Sequence, residues 1–446
     1  MQILQTLKKF LEQIPENSRV IIAYSGGVDS HVLLHAIALL RSEFPSINLL
    51  AIYINHGLLS SADDWAKHCE KICKKLKIDF KKIKIHVDQK TGESLEAQAR
   101  IARYEAFLNL MQKQDYLVTA HHQDDQAETC LLQFLRGAGP KGLAAMPEII
   151  SFGKGCLIRP FLSISRQEIL DYAKENKLSW IEDDSNHDTK FTRNFLRYEI
   201  MPLLRQRWPS VCKTIMRVSQ YSAEADQLLQ EFAKQDLKSL GNQDGTLNII
   251  ELKKLSFLRQ KNSIRVWLHE KNYLLPSAIK LDHIIHDVIY AKEDAMPCVS
   301  WGNIGVRRFQ NKLYVMKILL KHDAHAEYYW EELLKPFELP NGLGTLYCEL
   351  VDETCGHPTQ LIAKNKITLP LKIKFRCGGE SCYLPGHKIK LTLKNLFQEW
   401  KIPPWERDRI PLIYINDELA VIVGYAVCQG FAAQRDEKGY RIFINE

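Results

Sequence analysis

Short apolar runs alternate with longer amphipathic segments over residues 1–200 of the chain. The short runs are rich in β-branched side chains, which is typical of buried strands, and the longer segments repeat with the period of a helix. The predicted strands span residues 19–24, 48–55, 80–86, 116–120 and 156–159. The predicted helices span residues 30–40, 62–77, 94–113, 124–136 and 165–176. This alternation predicts βαβ units in a doubly wound parallel sheet, which binds ligands at the carboxyl ends of its strands.

The rest of the chain carries two further patterns. Residues 214–238 contain neither Gly nor Pro, which predicts a helical connector into a middle domain. Strand-like runs at 364–375, 410–415 and 419–424 follow, with turn signals at 378–379 (Gly-Gly) and 385–386 (Pro-Gly). The predicted fold class is therefore α/β, with three domains: a doubly wound parallel sheet domain (1–213), a helical middle domain (214–335) and a small β-rich α+β C-terminal domain (361–446).

Composition excludes several classes of protein. The chain has 446 residues, of which 46% are hydrophobic and 25% charged, as in ordinary globular proteins. No apolar run reaches the length of a membrane span, and residues 1–10 lack the core of a signal peptide, so a cytoplasmic protein with no membrane partner is expected. The 11 cysteines form no framework and are expected to be thiols.

Positive charge is concentrated near the C-terminus. The formal net charge is +7, and residues 361–446 hold 14 Lys and Arg against 9 Asp and Glu. A basic excess at one end favours a polyanionic partner, although charge alone is equally consistent with a solvated face.

A glycine loop follows the first predicted strand and opens the first helix of the sheet domain. It comprises Ser25, Gly26, Gly27, Val28, Asp29 and Ser30. The glycines allow backbone amides to point at one spot, the helix start adds partial positive charge, and Ser30 suits an N-cap. The natural ligand is a phosphate, whereas the alternative is a glycine turn with no ligand.

This loop lacks the lysine of a Walker A sequence and carries Asp29 instead. A carboxylate beside a polyphosphate is explained by a Mg²⁺ ion between them, with Asp29 as the ligand. The loop resembles the pyrophosphatase loop of the N-type ATP pyrophosphatases, the PP-loop superfamily. That resemblance implies cleavage of ATP between its α and β phosphates and an adenylated substrate.

A second group of polar residues follows the strand predicted at 116–120. His121, His122, Asp125 and Glu128 lie where the next helix begins, at the same edge of the sheet as the loop. Zinc binding is disfavoured, because adjacent histidines on a strand point in different directions. The remaining alternatives are a structural helix cap and an active-site wall that binds Mg²⁺ and a cationic substrate. The second is favoured.

Further motifs narrow the resemblance to the tRNA(Ile)-lysidine synthetase family. They are Leu-Glu-Ala-Gln-Ala-Arg at 95–100, His-His-Gln-Asp-Asp-Gln-Ala-Glu-Thr at 121–129, Leu-Arg-Gly at 135–137, Asp-Ser-Asn at 184–186, Arg-Asn at 193–194 with Arg197, and Ile-Pro-Pro-Trp-Glu-Arg-Asp-Arg-Ile-Pro-Leu at 402–412. The related tRNA 2-thiocytidine enzyme carries Lys at the position of Val28 and requires a Cys-x-x-Cys motif, which this chain lacks.

The resemblance implies that ATP adenylates C2–O of the wobble cytidine in an isoleucine tRNA with a CAU anticodon. Free L-lysine then displaces AMP and forms lysidine. The base that deprotonates lysine stays open among Asp125, Glu128, His121 and His122, and the chain acts either as a monomer or as a homodimer. A non-catalytic tRNA-binding protein would explain the basic tail but not the phosphate loop.

The motifs and the family resemblance also indicate candidate binding residues. The ATP-binding set is the loop together with Arg100, which either lines the cleft or lies on a solvated face. Trp405 is expected either to stack on a base or to pack in the domain core. The set of predicted tRNA contacts is Arg103, Arg136, Arg193, Asn194, Arg197, Trp405, Arg407 and Arg409.

Overall fold

The structure is a computed structural model that describes residues 2–55, 62–85, 95–182, 188–292, 295–351, 361–434 and 437–445. The side chains of residues 62 and 95–97 are not described. The predicted Asp-Ser-Asn motif at 184–186 lies outside the described residues, as do residues 86 and 94 at the ends of two predicted elements. The chain divides into two compact units, residues 1–232 and 233–446, and each is considered by itself.

A six-stranded sheet forms the centre of the first unit. Its strands are β1 (Arg19–Ala23), β2 (Asn48–Asn55), β3 (Asp79–Lys84), β4 (Asp115–Val118), β5 (Ile149–Phe152) and β6 (Gly155–Ile158), in the order β3-β2-β1-β4-β6-β5. The five strands other than β5 are parallel, and β5 pairs antiparallel with β6. The parallel sheet is therefore confirmed, and the edge strand β5 is an addition to the predicted set.

Helices cover both faces of this sheet, as a doubly wound fold requires. The helices of the first unit are α1 (Gln2–Leu11), α2 (Val28–Leu40), α3 (Ala62–Leu76), α4 (Leu95–Leu108), α5 (Gln123–Leu135), α6 (Pro140–Leu143), α7 (Arg166–Glu175), α8 (Thr192–Phe195), α9 (Met201–Arg207) and the first part of α10 (Val211–Leu240), which continues into the second unit. A π-helical segment, Leu196–Ile200, joins α8 to α9. On β1, Val20 and Ile22 pack into one apolar cluster while Ile21 packs into another, so successive residues face opposite layers.

The second unit begins with a helical part that also contains a sheet. Its helices are α11 (Ile249–Lys254), α12 (Phe257–Glu270) and α13 (Ala278–His283), and its strands are β7 (Leu247–Asn248), β8 (Cys298–Trp301), β9 (Ile304–Phe309) and β10 (Lys312–Lys317). The strands form one sheet in the order β7-β10-β9-β8, and each neighbouring pair in it is antiparallel. The apolar positions of these strands alternate only briefly, so the sequence pattern indicated the helices and not the sheet.

The C-terminal part of the second unit is rich in strands, as predicted. Its strands are β11 (Tyr328–Trp330), β12 (Phe337–Leu339), β13 (Gly344–Val351), β14 (Ile362–Ala363), β15 (Leu371–Lys374), β16 (Ser381–Cys382), β17 (Leu391–Thr392), β18 (Leu412–Ile415), β19 (Glu418–Ile422), β20 (Ala426–Val427) and β21 (Gly439–Asn445), with helices α14 (Leu393–Glu399) and α15 (Pro404–Arg407). The predicted boundary at residue 361 is wrong, because β11 pairs with β15 and β13 pairs with β21. This fold therefore takes in residues from Tyr328 onward.

No helix in the described part of the chain is both long enough and apolar enough to span a membrane.

Candidate active site

The phosphate loop joins β1 to α2 and is braced by its own serines. The Ser30 hydroxyl donates to the Gly27 carbonyl oxygen at 3.0 Å and accepts from the Ser25 amide at 3.2 Å. The two serine hydroxyl oxygens lie 3.0 Å apart. Helix α2 begins at Val28 with Gly27 as its N-cap, so the predicted capping role of Ser30 is wrong. The unpaired amides of this first turn favour an anion above the loop.

The two glycines of the loop have different structural roles. Gly26 has a φ of +87°, and a Cβ built on it would lie 2.9 Å from Ile181 Cδ1 and 3.0 Å from Cys69 Sγ. Gly27 is the N-cap at φ −73°, and the nearest atom to a Cβ there would be Ser25 Oγ at 3.6 Å. Gly26 is therefore required by the backbone, while Gly27 leaves open space in which a ligand can approach the backbone closely.

The wall opposite the loop is the start of α5. His122 is the N-cap residue: its Nδ1 accepts from the Asp125 amide at 3.4 Å, and Asp125 Oδ2 accepts from the His122 amide at 3.1 Å. The structural cap considered from the sequence is thus present. It is a reciprocal capping box that fixes the Asp125 carboxylate at the carboxyl end of β4.

The loop and the wall meet at the point where the strand order reverses. The chain runs from β1 outward through β2 and β3, and then returns to place β4 on the other side of β1. A crevice forms at such a point outside the carboxyl ends of the strands. Here it is a cavity of about 220 Å³ lined by residues that include Ser25, Gly27, Asp29, Ser30, Arg103, Tyr104, Thr119, His121 and Asp125.

His122 links the two halves of the site electrostatically. Its Nε2 lies 3.4 Å from Asp125 Oδ2 and 3.8 Å from Asp29 Oδ2, and its side chain is 2% exposed. The carboxylate of the phosphate loop and that of the wall therefore approach one buried imidazole.

Two arginines predicted to contact the tRNA backbone instead pair with the carboxylates of the wall. Arg193 donates from Nε to Glu128 Oε2 at 3.0 Å and from Nη2 to Asp125 Oδ1 at 3.2 Å. Arg197 donates from Nε to Glu128 Oε1 at 2.7 Å and from Nη2 to Asp125 Oδ1 at 2.8 Å. The predicted backbone contacts are thus corrected: both guanidinium groups face inward, because Glu128 is 2% exposed and needs paired charge.

Geometry separates the four candidate bases into two pairs. His121 and Asp125 line the cavity. His122 and Glu128 do not line it; they are buried behind the wall, with 1% and 2% of their surface exposed. Only the first pair can meet a ligand in the cavity directly.

The pKa values of the cavity residues are shifted in different directions. Burial raises the pKa of Asp29, partly against the charge of His122. Burial also lowers the pKa of His121 to about 3, so its imidazole is neutral at physiological pH. Burial opposes ionisation of Asp125, but His122 and Arg193 outweigh it and hold the pKa of that carboxyl well below its usual range.

The donors around Asp29 fit a Mg²⁺ ion held jointly with phosphates. Asp29 Oδ1 is buried and makes no hydrogen bond, so it offers a free oxygen ligand. Over the described ranges, no group of three or more His, Cys, Asp or Glu residues could hold a metal ion. A single protein carboxylate suits Mg²⁺, which takes its other ligands from phosphate and water.

The positions of the two α4 arginines differ from those expected for their predicted ligands. Arg103, predicted to contact tRNA, lines the cavity together with Tyr104. Arg100, predicted to bind ATP, is exposed, does not line the cavity, and lies over the Tyr104 ring at 5.2 Å. A helical face holds both arginines, and only the path of α4 past the sheet decides which one points inward.

Two further predicted RNA contacts lie outside the cavity. Arg136 is exposed at the C-cap of α5. The Asn194 side chain donates to the Asp188 carbonyl oxygen at 3.0 Å. Both remain predictions.

Trp405 packs inside the second unit, so its predicted stacking on an RNA base does not fit this structure. Its side chain is 8% exposed and lies edge-on to Tyr314 at 5.4 Å and to Phe309 at 6.1 Å. Arg407 Nε donates to the Ile402 carbonyl oxygen at 2.9 Å, and Arg409 Nη1 donates to the Leu320 carbonyl oxygen at 2.8 Å. Both arginines keep further donors for a phosphate.

Several residues of the site were missed in the sequence. Thr119 Oγ1 lies 2.8 Å from His121 Nδ1 and orients that ring. Arg159 follows β6 and is 5% exposed, with Nη1 donating to the Pro147 carbonyl oxygen at 2.7 Å. Both follow strands at the carboxyl edge of the sheet, so the rule that located His121 would also have located them. Tyr104 carries no comparable signal.

Taken together, the parallel sheet, the serine–glycine loop at its switch point and the facing wall of acidic residues and histidines define an ATP-binding domain of the PP-loop class. Comparison with known protein families agrees with this class. Residues 1–204 match the family described as "PP-loop domain", residues 247–314 match "TilS substrate binding domain", and residues 371–444 match "TilS substrate C-terminal domain".

Curated relatives match over nearly the whole chain. A tRNA(Ile)-lysidine synthase of Coxiella burnetii is 44% identical over 99% of this chain and 96% of its own length. Proteins of the same name from Legionella pneumophila (strain Lens) and Proteus mirabilis are 41% and 38% identical, covering 98% and 94% of this chain and 98% and 93% of theirs. A solved U34-tRNA thiolase from Methanococcus maripaludis has a TM-score of 0.44 and 20% identity, over 50% of this chain and 79% of its own. The chain belongs to the tRNA(Ile)-lysidine synthase family.

Proposed function

We propose that the protein ligates free L-lysine to C2 of the wobble cytidine in an isoleucine tRNA with a CAU anticodon, through an adenylated tRNA, and releases AMP and pyrophosphate. The observation that carries the proposal is that the phosphate loop lines one side of a cavity and His121 and Asp125 line the other. Membership of the family supports it, because the curated relatives carry the name tRNA(Ile)-lysidine synthase.

In the first step, the cytidine O2 attacks the α phosphorus of ATP, and the bond to the β–γ diphosphate breaks. The backbone amides of the Ser25–Ser30 loop and the amino end of α2 would bind the departing pyrophosphate. A Mg²⁺ ion bound to Asp29 would supply further positive charge to the phosphates. The adenylated oxygen is a better leaving group than hydroxide, which makes C2 open to substitution.

In the second step, the lysine ε-ammonium first gives a proton to solvent and the resulting amine attacks C2. AMP then leaves with the former O2, and the nitrogen gives a second proton to solvent. Asp125 is ionised and reaches the cavity, so it is suited to bind the ε-ammonium. A carboxyl with so low a pKa is a weak base. Asp125 is therefore proposed to seat the cation rather than to accept its proton.

The other three candidates then have supporting roles. Glu128 anchors Arg193 and Arg197, His122 connects Asp125 with Asp29, and His121 presents a neutral imidazole to the cavity. The arginine pair also competes for the Asp125 carboxylate, so lysine binding requires that the ammonium share Oδ1 or use Oδ2.

The decisive test is product analysis with purified protein, ATP, Mg²⁺, L-lysine and unmodified isoleucine tRNA. We expect one AMP and one pyrophosphate per lysidine, with lysidine detected by mass spectrometry of the nucleosides. Omission of lysine should leave adenylated tRNA, and methionine tRNA with the same anticodon serves as the specificity control. Formation of AMP without a lysine adduct would contradict the proposal.

Asp125→Asn separates the two steps. The amide keeps an oxygen to accept the His122 amide, so the capping box can persist, while the charge that seats the ammonium is lost. Adenylated tRNA should accumulate on quenching, and the KM for lysine should rise at least roughly tenfold, as loss of a charged hydrogen bond implies. An equal loss of both steps would assign Asp125 to ATP or metal binding instead.

A further inference from the structure

A second cavity lies on the other side of the α5 start. Its volume is about 440 Å³, and its lining includes Gln123, Asp124, Arg166, Arg205 and Lys213. Gln123 and Asp124 lie in sequence between His122 and Asp125, so one turn of helix forms a wall of both cavities. The ATP-binding residues do not line this second cavity, and the reaction described above does not use it.

The charge of this second cavity is positive. Arg166, Arg205 and Lys213 are its cationic lining residues, and Asp124 is its carboxylate. One Asp124 oxygen accepts from the Arg166 backbone amide at 2.9 Å, and the other accepts from Arg205. Among the described residues, no salt bridge engages the side chains of Arg166 or Lys213, so their charge is left for a ligand.

The position of the second cavity ties it to the reacting nucleotide. The wall shared through Asp124 and Asp125 places the two cavities side by side. An RNA strand that inserts one base into the catalytic cavity carries a phosphodiester on each side of that nucleotide, and arginine and lysine are the usual partners of such groups.

We propose that the cavity bounded by Asp124, Arg166, Arg205 and Lys213 binds a backbone phosphodiester of the RNA strand next to the reacting nucleotide. The inference rests on the proposed function and names where its RNA substrate is held. The phosphates of ATP already have the Ser25–Ser30 loop, so the second cavity is assigned to RNA. A site for released pyrophosphate shares the same oxyanion chemistry and is the competing source.

The clean variant is Lys213→Glu, because Lys213 is exposed, forms no salt bridge among the described residues and does not pair with Asp124. Its matched control is Lys154→Glu, the same charge reversal at an exposed residue between β5 and β6. The amino end of β6 lies at the edge of the sheet opposite to His121, since β6 is parallel to β4. Lys213→Arg keeps the charge and tests whether the site needs a cation only.

Each variant is measured in the full chain for tRNA affinity at several salt concentrations, for the KM of ATP, and for product inhibition by pyrophosphate. Lys213→Glu should weaken tRNA binding roughly tenfold and lower the salt slope by about 0.7–0.9, the value of one phosphate contact. The KM for ATP should not change. Lys154→Glu and Lys213→Arg should resemble the wild type in all three measurements.

Two results would overturn the inference. Weaker inhibition by pyrophosphate with unchanged tRNA affinity would assign the cavity to the leaving group. If Lys213→Glu had the same tRNA affinity and salt slope as Lys154→Glu, no RNA phosphate would bind in this cavity. Failure of the proposed function can be distinguished from failure of this inference. It would appear in the wild-type protein as absence of lysidine, independently of the Lys213 variants.

Discussion

At the scale of the residue, the role proposed for Asp29 opposes its contribution to stability. Its carboxyl sits in the phosphate loop with one oxygen buried and unpaired, and burial raises its pKa. A folded-state pKa above the unfolded value means that ionisation at neutral pH disfavours the folded state. In the proposed reaction, a Mg²⁺ ion supplied with ATP would remove this disadvantage.

Asp29→Asn should therefore reduce adenylation by roughly 100-fold or more while leaving the thermal midpoint at pH 7 equal to or above that of the wild type. Pyrophosphate release and thermal unfolding without ligand measure the two effects. A stable variant that releases pyrophosphate at the normal rate would remove Asp29 from the reaction. A lower thermal midpoint would mean that its charge is paired in the folded state.

The pH dependence of the lysine step follows from the two residues that line the cavity. The pKa of His121 is lowered to about 3, and that of Asp125 is well below its usual range, so neither titrates near neutrality. Free lysine has a pKa of about 10.4, and the fraction present as amine grows with pH. Starting from adenylated tRNA, the rate should rise up to roughly tenfold per unit between about pH 6.5 and 8.5. An inflection near neutral pH that disappears in His121→Gln would instead identify His121 as the base.

At the scale of elements, the two adjacent glycines of the phosphate loop differ in backbone conformation, since only Gly26 has a positive φ. Gly26→Ala introduces a side chain at φ +87°, which should cost about 1–3 kcal/mol in the free energy of unfolding. The close contacts of the new Cβ add little to this loss of stability, since Ile181 Cδ1 and Cys69 Sγ are the ends of movable side chains.

Gly27→Ala is the matched variant, because its φ of −73° suits any residue. It should cost less than about 1 kcal/mol in stability but weaken ATP binding, since the methyl group would project into the cavity. Chemical denaturation and nucleotide titration of both variants test this division. Equal loss of stability in the two would show that space, not φ, limits the loop.

The helical segment from α8 to α9 is held against α5 by the ion pairs of Arg193 and Arg197. Arg197→Ala leaves the Glu128 carboxylate with fewer partners at 2% exposure, which should cost about 3 kcal/mol in the free energy of unfolding. The salt slope of tRNA binding should stay as in the wild type. Arg136→Ala, at an exposed position on the other end of α5, is the control, expected to leave stability unchanged. A reduced salt slope with normal stability in Arg197→Ala would restore its predicted role in RNA binding.

At the scale of the whole molecule, the residues of the proposed ATP site belong to the first unit. The cavity beside the phosphate loop and both sheet-packing apolar clusters consist of residues within 1–232. The second unit has its own cores and holds Arg407 and Arg409. ATP binding and most of the affinity for tRNA should therefore be separable by truncation.

A fragment of residues 1–232 should bind ATP with an affinity within roughly threefold of the full chain and bind tRNA at least roughly tenfold more weakly, since phosphate contacts in the second unit are lost. A cut at residue 361 is unsuitable, because it would remove the partners of β11 and β13. Circular dichroism checks folding of the fragment. Full tRNA affinity in a folded fragment would place the RNA contacts in the first unit alone.

The sequence by itself determined the parallel sheet, the phosphate loop and the polar wall. These depend on short-range patterns: β-branched runs bury in strands, glycines permit a turn, and residues that follow parallel strands reach the same edge of the sheet. His121, Asp125 and Asp29 could be placed together from this rule alone. The family resemblance then extended the prediction to both ends of the chain.

Only the tertiary structure decided which charges meet. Arg193 and Arg197 are separated from Asp125 by more than 60 positions in the chain, and their pairing depends on how the segment from α8 to α9 packs against α5. Whether Arg100 or Arg103 enters the cavity, and whether Trp405 stacks on a base or packs in a core, likewise depends on neighbours distant in sequence. A sequence shows that a charge must be paired once buried; the packing of elements determines which residue is buried and which partner reaches it.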